Sequence, residues 1–386
     1  MKKRIIILIF LALSVCFIGI PVNAAEQSRD DPGEDITEIY DEQLIASGAD
    51  RLYSSLPEET KKMLSDMGIN AFDYESTDAL RSVEIFKQAV ELIGEKSSGP
   101  LGTLALCLGI MLLCSLVEGT DITVGDKTLE GISSAVGGLC ICTAIVVPMC
   151  SMISRAVEII NGASGFILLY VPIMTGLMAT SGHEISAGSY YTMLMGAGQL
   201  ITQLSSKLIS PIMNVFLALS VTSSLSPKLN LSSLCTMLHK CAKWVLTLIM
   251  SLFVTVLSAQ TFVSASLDNV SKKALRFTVS SFVPVVGGVL SETLTAFSGS
   301  LELLKSGAGV FVIIASACIF LPILIECVLW QFSLFLLSSV SDILGLARMK
   351  SVYGTITTVA SMLTAILLCI LTIFIISTVI ILMVGK

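Results

Sequence analysis

Beyond Ser97 the chain alternates long apolar runs with short clusters of charge, and this pattern decides its class. The last run, Ser351–Gly385, holds 35 residues without a formal charge and closes on Lys386. A bilayer core about 30 Å thick takes about 20 apolar residues of helix to cross, and lipid offers the backbone no hydrogen-bond partner. Such runs are therefore expected to be membrane helices. Ser97–Val117, Gly131–Ser154, Ile159–Gly182 and Trp244–Leu267 read the same way, Trp244 as an interfacial anchor. Ile185–Ser206 and Leu208–Pro227 form a weaker pair around Lys207, richer in Gly, Ser, Gln and Asn, and need protein neighbours on one side. Ser306–Ser341 carries a lone Glu326 and suits one tilted span or two short ones. The pattern predicts an all-α polytopic membrane protein with about seven to nine spans over residues 97–386.

One stretch breaks the rule. Phe277–Ser291 contains Pro284 and Gly287-Gly288, and Glu292–Leu301 is small and polar before Glu302 and Lys305. Two half-helices or a re-entrant hairpin over 277–304 fit it better than a lipid-facing helix, because non-helical backbone at membrane depth needs protein or water around it.

The first 96 residues differ in kind. Met1–Ala24 has a basic start (Lys2-Lys3-Arg4), an apolar stretch Ile5–Ile20, and small residues at Val22-Asn23-Ala24. It reads as a secretory signal peptide, the alternative being an uncleaved first membrane helix. Ala25–Lys96 is an acidic helical region. Ser55-Leu56-Pro57-Glu58-Glu59 marks a helix start, Met63, Leu64 and Met67 its apolar face, and Gly68 its end. A further helix from about Thr77 is expected to bury Leu80, Val83, Phe86, Val90 and Ile93 and to stop at Gly94. A core this thin packs on the membrane body or a partner, unless the region is only a solvated tether.

Charge sharpens the division. The chain is 13% charged, against about 25% for a soluble domain. Residues 25–96 hold 18 acidic and 7 basic residues, a balance of −11 that the rest of the chain offsets to the net −6. Signal cleavage would leave this region extracytoplasmic. Orientation stays open: the basic residues of 228–243 and 348–350 suit a cytoplasmic side, but those of 268–276 then fall across the membrane from 228–243. No basic patch exists to neutralise phosphates, which argues against nucleic acid as a partner; the partner that composition demands is a lipid bilayer.

Recognisable catalytic chemistry is sparse. Gly125-Asp126-Lys127-Thr128 lacks the upstream glycine of a phosphate loop, His183-Glu184 is not followed by a second histidine, and the chain has only two histidines. No cofactor or metal site is expected, and an enzyme is not. Cys140-x-Cys142 lies in an uncharged run without nearby histidine or carboxylate and reads as packing. The candidates that remain are carboxylates at membrane depth, where a charge costs at least about 2.5–3.5 kcal/mol unless it faces a polar interior or pairs. Glu302 has Lys305 one turn on; Glu158 follows Arg155 by three and marks an interface. Glu292, beside the glycine-broken stretch, and Glu326 are the candidates for a pore-lining or ion-coupling role, with Pro284, Gly287 and Gly288 as the candidate gate.

The order of these features resembles a known family. The acidic region with Ser55-Leu56-Pro57-Glu58-Glu59 precedes Pro100-Leu101, the tract Phe277–Gly288, and Leu290-Ser291-Glu292 to Leu304–Gly309. The pattern is similar to that of stage III sporulation protein AE of endospore-forming bacteria. The resemblance implies a mother-cell membrane protein of the secretion-like transenvelope channel that joins mother cell and forespore during engulfment. It implies as partners the ring protein stage III sporulation protein AH, a cytoplasmic ATPase of the same assembly, and stage II sporulation protein Q. It supplies no catalytic residue. An autonomous permease and a non-transporting scaffold remain the alternatives.

Overall fold

A computed structural model describes residues 50–68, 82–119, 123–124, 127–128, 130–181, 183–225, 232–282 and 287–383, with side chains for most of these but not for 50, 82–87, 89, 119, 123–124, 127–128, 130–134, 208, 223–225, 232, 261–262, 264–306 or 383. The expected signal segment, the acidic residues 25–49 and Pro284 lie outside the described residues. The fold is all-α and polytopic. Among the described residues six helices are long and apolar enough to cross a membrane.

Three short helices come first: α1 (Asp50–Ser54), α2 (Glu58–Asp66) and α3 (Ser82–Lys96). Pro57, whose φ of −55° suits a helix entrance, and the acids Glu58 and Glu59 start α2. Gly68 ends it at φ +70°, a left-handed conformation that a side chain resists. Met63, Leu64 and Met67 are buried, as the spacing predicts. Leu80 and the side chains of Val83 and Phe86 lie outside the described residues, and at the remaining two positions the expectation for α3 fails. Val90 and Ile93 are exposed, Leu92 is buried instead, and the helix runs through Gly94 to Lys96. Its partner explains the difference: α3 packs on the long helix α9 described below, and Leu92 is the residue its register turns inward. Helix α2 packs on α9 as well, and α1 on α5.

The body begins with α4 (Ser98–Gly119), separated from α3 only by Ser97. A two-residue antiparallel ladder, β1 (Thr123–Val124) with β2 (Lys127–Thr128), pairs Thr123 with Thr128 and Val124 with Lys127. Helix α5 (Glu130–Thr180) follows, then α6 (Glu184–Leu204), a π-helical turn (Ser205–Ile209), α7 (Ser210–Leu225), α8 (Ser232–Phe282), α9 (Gly287–Ile343) and α10 (Ala347–Met383).

Two pairs of expected spans are thus each one continuous rod, which lowers the number of spanning helices. Residues 131–154 and 159–182 join through Arg155 and Glu158 in α5, because Arg155 finds its counter-charge sideways on another helix. Residues 185–206 and 208–227 join through the π turn holding Lys207. Pro211 lacks an N–H and its ring would press on the carbonyl four residues back, and the wider turn removes that conflict. The Ser210 N–H accordingly reaches the Ser205 carbonyl. Residues 306–341 form one helix, not two.

Helices α9 and α10 make the tightest pair, an antiparallel hairpin closed at Leu344-Gly345-Leu346. Gly345 turns at φ +75°, and the Ser341 hydroxyl donates to the Leu346 carbonyl at 2.8 Å. At the other end Gly309 lies against Leu382, where a Cβ would strike that side chain. Gly137 of α5 similarly admits Cys114 of α4 and Met349 of α10. Small residues at these crossings let backbones approach, which is how helices associate where lipid is as apolar as the side chains.

Candidate functional site

Charge inside an apolar bundle is the feature that composition cannot explain away. Arg155 projects from α5 and Glu326 from α9, and the Arg155 Nη2 donates to Glu326 Oε1 in an ion pair. The Arg155 Nη1 also donates to the Ser151 hydroxyl one turn earlier, at 3.0 Å. The two partners are unequally sheltered: the Glu326 side chain is 12% exposed and that of Arg155 48%. The carboxylate is therefore the group that needs the contact most.

Sulfur and amide contacts continue the seam. Cys327 Sγ lies 3.8 Å from Met152 Sδ between the same two helices. One turn on, the Gln331 amide donates to the Thr364 hydroxyl of α10 at 2.8 Å and to the Cys327 carbonyl at 3.3 Å. Thr364 in turn donates to the Ala360 carbonyl. A polar thread thus ties α5, α9 and α10 at mid-length. Beside it, Asn161 Nδ2 donates to the Ser206 hydroxyl of the π turn at 3.0 Å. Glu158 and Lys207 are exposed, and no ion pair to either occurs among the described residues.

Of the sequence candidates, Glu326 is the one whose side chain the structure places, and its partner is Arg155. Gly287 and Gly288 open α9, and Glu292 follows on the same helical backbone. The side chains of Glu292, Glu302 and Lys305 fall outside the described residues, as does Pro284, so the gate and the expected hairpin over 277–304 keep the standing of expectations. Sequence spacing linked Arg155 only to Glu158; the partner 171 residues away carried no local signal. Cys140 is exposed and Cys142 buried, so the two thiols face different surroundings, and no disulfide joins the described cysteines. Among the described residues no three His, Cys, Asp or Glu side chains come close enough to hold a metal. Two open grooves of about 720 and 440 Å³ lie elsewhere, along the outer face of α8, and share Trp244.

A family model described as stage III sporulation protein AE matches residues 73–385. The chain belongs to the stage III sporulation protein AE family. The match takes in α3 and every helix of the body, including α5 and α9 with their ion pair. A relative in Bacillus subtilis (strain 168), named stage III sporulation protein AE, is 24% identical over 220 residues, which cover 57% of this chain and 54% of the relative. The match thus spans about half the length of that relative. No solved structure matches. Membership places this multi-pass protein among the sporulation proteins.

Proposed function

We propose that this chain is a membrane subunit of the secretion-like transenvelope channel that links mother cell and forespore during engulfment, and that it supports late forespore gene expression. The observation that carries the reading is that the family match runs through the whole polytopic bundle rather than through one helix. In this reading the protein sits in the mother-cell membrane around the forespore. Its acidic N-terminal region is extracytoplasmic after signal cleavage. It works without catalysis of its own beside stage III sporulation protein AH, the cytoplasmic ATPase of the assembly, and stage II sporulation protein Q. The stretch Phe277–Gly309, with Pro284, Gly287, Gly288 and Glu292, forms the gate. The Arg155–Glu326 pair latches α5 to α9 and so holds the bundle in one state.

Loss of the chain in its host should abolish late forespore reporter expression and heat-resistant spores. Unchanged spore yield would refute the role. Capture of the ring protein that depends on residues 25–96 would support membership of the assembly. Solute flux through vesicles carrying the assembled complex, altered by Glu292→Gln, would separate a conduit from a scaffold.

A further inference from the structure

The apolar helices are too long for the membrane they cross. The candidate spans in α5, α9 and α10 run 46, 37 and 36 residues. At 1.5 Å per residue they measure about 54–69 Å, and even a 40° tilt lets a 30 Å core absorb only about 26 residues. Lipid can cover only part of each.

Contacts between helices give their relative heights. Gly137 of α5, Cys114 of α4 and Met349 of α10 share one level. It lies close to Glu118 and to the Gly345 turn, where Lys350 pairs with Asp342 at 2.6 Å. Eighteen residues along α5 from Gly137 is Arg155, about 27 Å away, and sixteen residues back from Cys114, about 24 Å, α4 starts at Ser98, just after Lys96. Arg155 holds Glu326, itself 16 residues, about 24 Å, from Asp342. Asn161 lies six residues beyond Arg155 on α5, so the Asn161–Ser206 bond brings Lys207 to within about 9 Å of this second level. Helix α8 reaches it too: the contacts Ser220–Cys235 and Gln260–Ser189 set its register, which puts Lys243 and Trp244 opposite the end of the π turn. Lys96, Arg155, Lys207, Lys243 and Glu326 thus come near one height from five separate elements. Between the two levels none of α4, α5, α7, α9 or α10 carries a formal charge in its described part, and α8 carries only Lys240, one turn inside Lys243.

We propose that the belt of Lys96, Arg155, Lys207, Lys243, Trp244 and Glu326 meets the lipid headgroups of one leaflet, so that the bilayer surrounds only the half of the bundle between that belt and the Gly345 turn. The separation of about 24–27 Å is close to that of a hydrocarbon core, and a tryptophan among lysines is the composition of an interface. The outer face between the levels is apolar and exposed at Leu106, Leu113, Val147 and Phe335, as a lipid-facing surface should be. Beyond the belt, the charged helices α2 and α3 pack on α9, which excludes lipid from that flank. In this placement α6 and the far parts of α5, α8, α9 and α10 stand outside lipid. Lys272, Lys273 and Arg276 lie about eight turns beyond Trp244 on α8, too far to act as juxtamembrane charges. That removes their conflict with the basic residues of 228–243. This placement is independent of the sporulation role.

The chain has two tryptophans, Trp244 exposed and Trp330 buried. In Trp330→Phe protein reconstituted in brominated phosphatidylcholines, bromines near the glycerol should quench Trp244 about twofold more than bromines near the chain ends. In a background lacking both tryptophans, Leu106→Trp should be quenched and Leu252→Trp should not. Stronger quenching of Trp244 by the deep bromines, or equal quenching at positions 106 and 252, would overturn the placement. The unmodified protein offers a second reading if these variants fail to fold. A lipid-dissolved aryl carbene should label Leu106 to Leu116 and Phe332 to Leu336; adducts at Leu200, Leu248 or Val256 would equally overturn it.

Discussion

Removing either partner of the Arg155–Glu326 pair should not cost the same, and the difference follows from exposure. Arg155→Gln leaves a carboxylate that is 12% exposed without its cation, among Cys327, Trp330 and other buried side chains. An orphaned, nearly buried charge costs about 2–3 kcal/mol, the low end of the range because Gln can still donate one hydrogen bond. Glu326→Gln leaves a guanidinium that is 48% exposed, keeps its bond to Ser151, and can swing its head to water or headgroups. That side of the pair is worth about 1 kcal/mol or less after solvent screening. A tenfold change is about 1.4 kcal/mol, so the folded-to-unfolded ratio should fall about 30–140-fold for Arg155→Gln and about fivefold for Glu326→Gln. The assay is reversible unfolding in mixed micelles titrated with dodecyl sulfate, read by circular dichroism, on both single variants and the double. The double should cost less than the sum of the singles by about 1–2 kcal/mol, since the two charges meet. If Glu326→Gln proved as costly as Arg155→Gln, or the coupling fell below about 0.5 kcal/mol, the pair would not hold α5 to α9.

Three further outcomes are expected. Gly309→Val drives a side chain into Leu382 and should cost about 1–3 kcal/mol in the same titration, and Leu382→Ala in that background should recover part of it. If Leu382→Ala added to the loss, the close crossing would not be the cause. Gly345→Val, at φ +75°, should cost about 1–2 kcal/mol, whereas Gly354→Val on α10, at a helical φ with open space around it, should cost less; equal costs would dismiss backbone strain at the turn. Leu64→Asp puts a charge where α2 packs into the core cluster, so trypsin should cut at Lys61 and Lys62 faster while the helical content of the body stays unchanged; an unaltered cleavage rate would mean that α2 is not held there.

Much of the molecule was legible before any coordinates. Long uncharged runs can only be helices in lipid, so the all-α polytopic class followed from residue order alone, as did the start of α2 at Pro57-Glu58-Glu59 and its end at Gly68. These are local matters: backbone satisfaction, the ring of proline and the freedom of glycine act within a few residues. What the pattern could not state was where an apolar run meets lipid and where it meets protein, because both environments select the same side chains. Residues 131–154 and 159–182 read as two spans because Arg155 and Glu158 looked like a boundary, yet the helix continues through them. Val90 and Ile93 formed a plausible buried stripe, yet α9 lies on the side of Leu92. Only tertiary structure could bring Glu326 to Arg155 and Ser206 to Asn161, since pairing across long sequence distances depends on helix register and not on the neighbours along the chain.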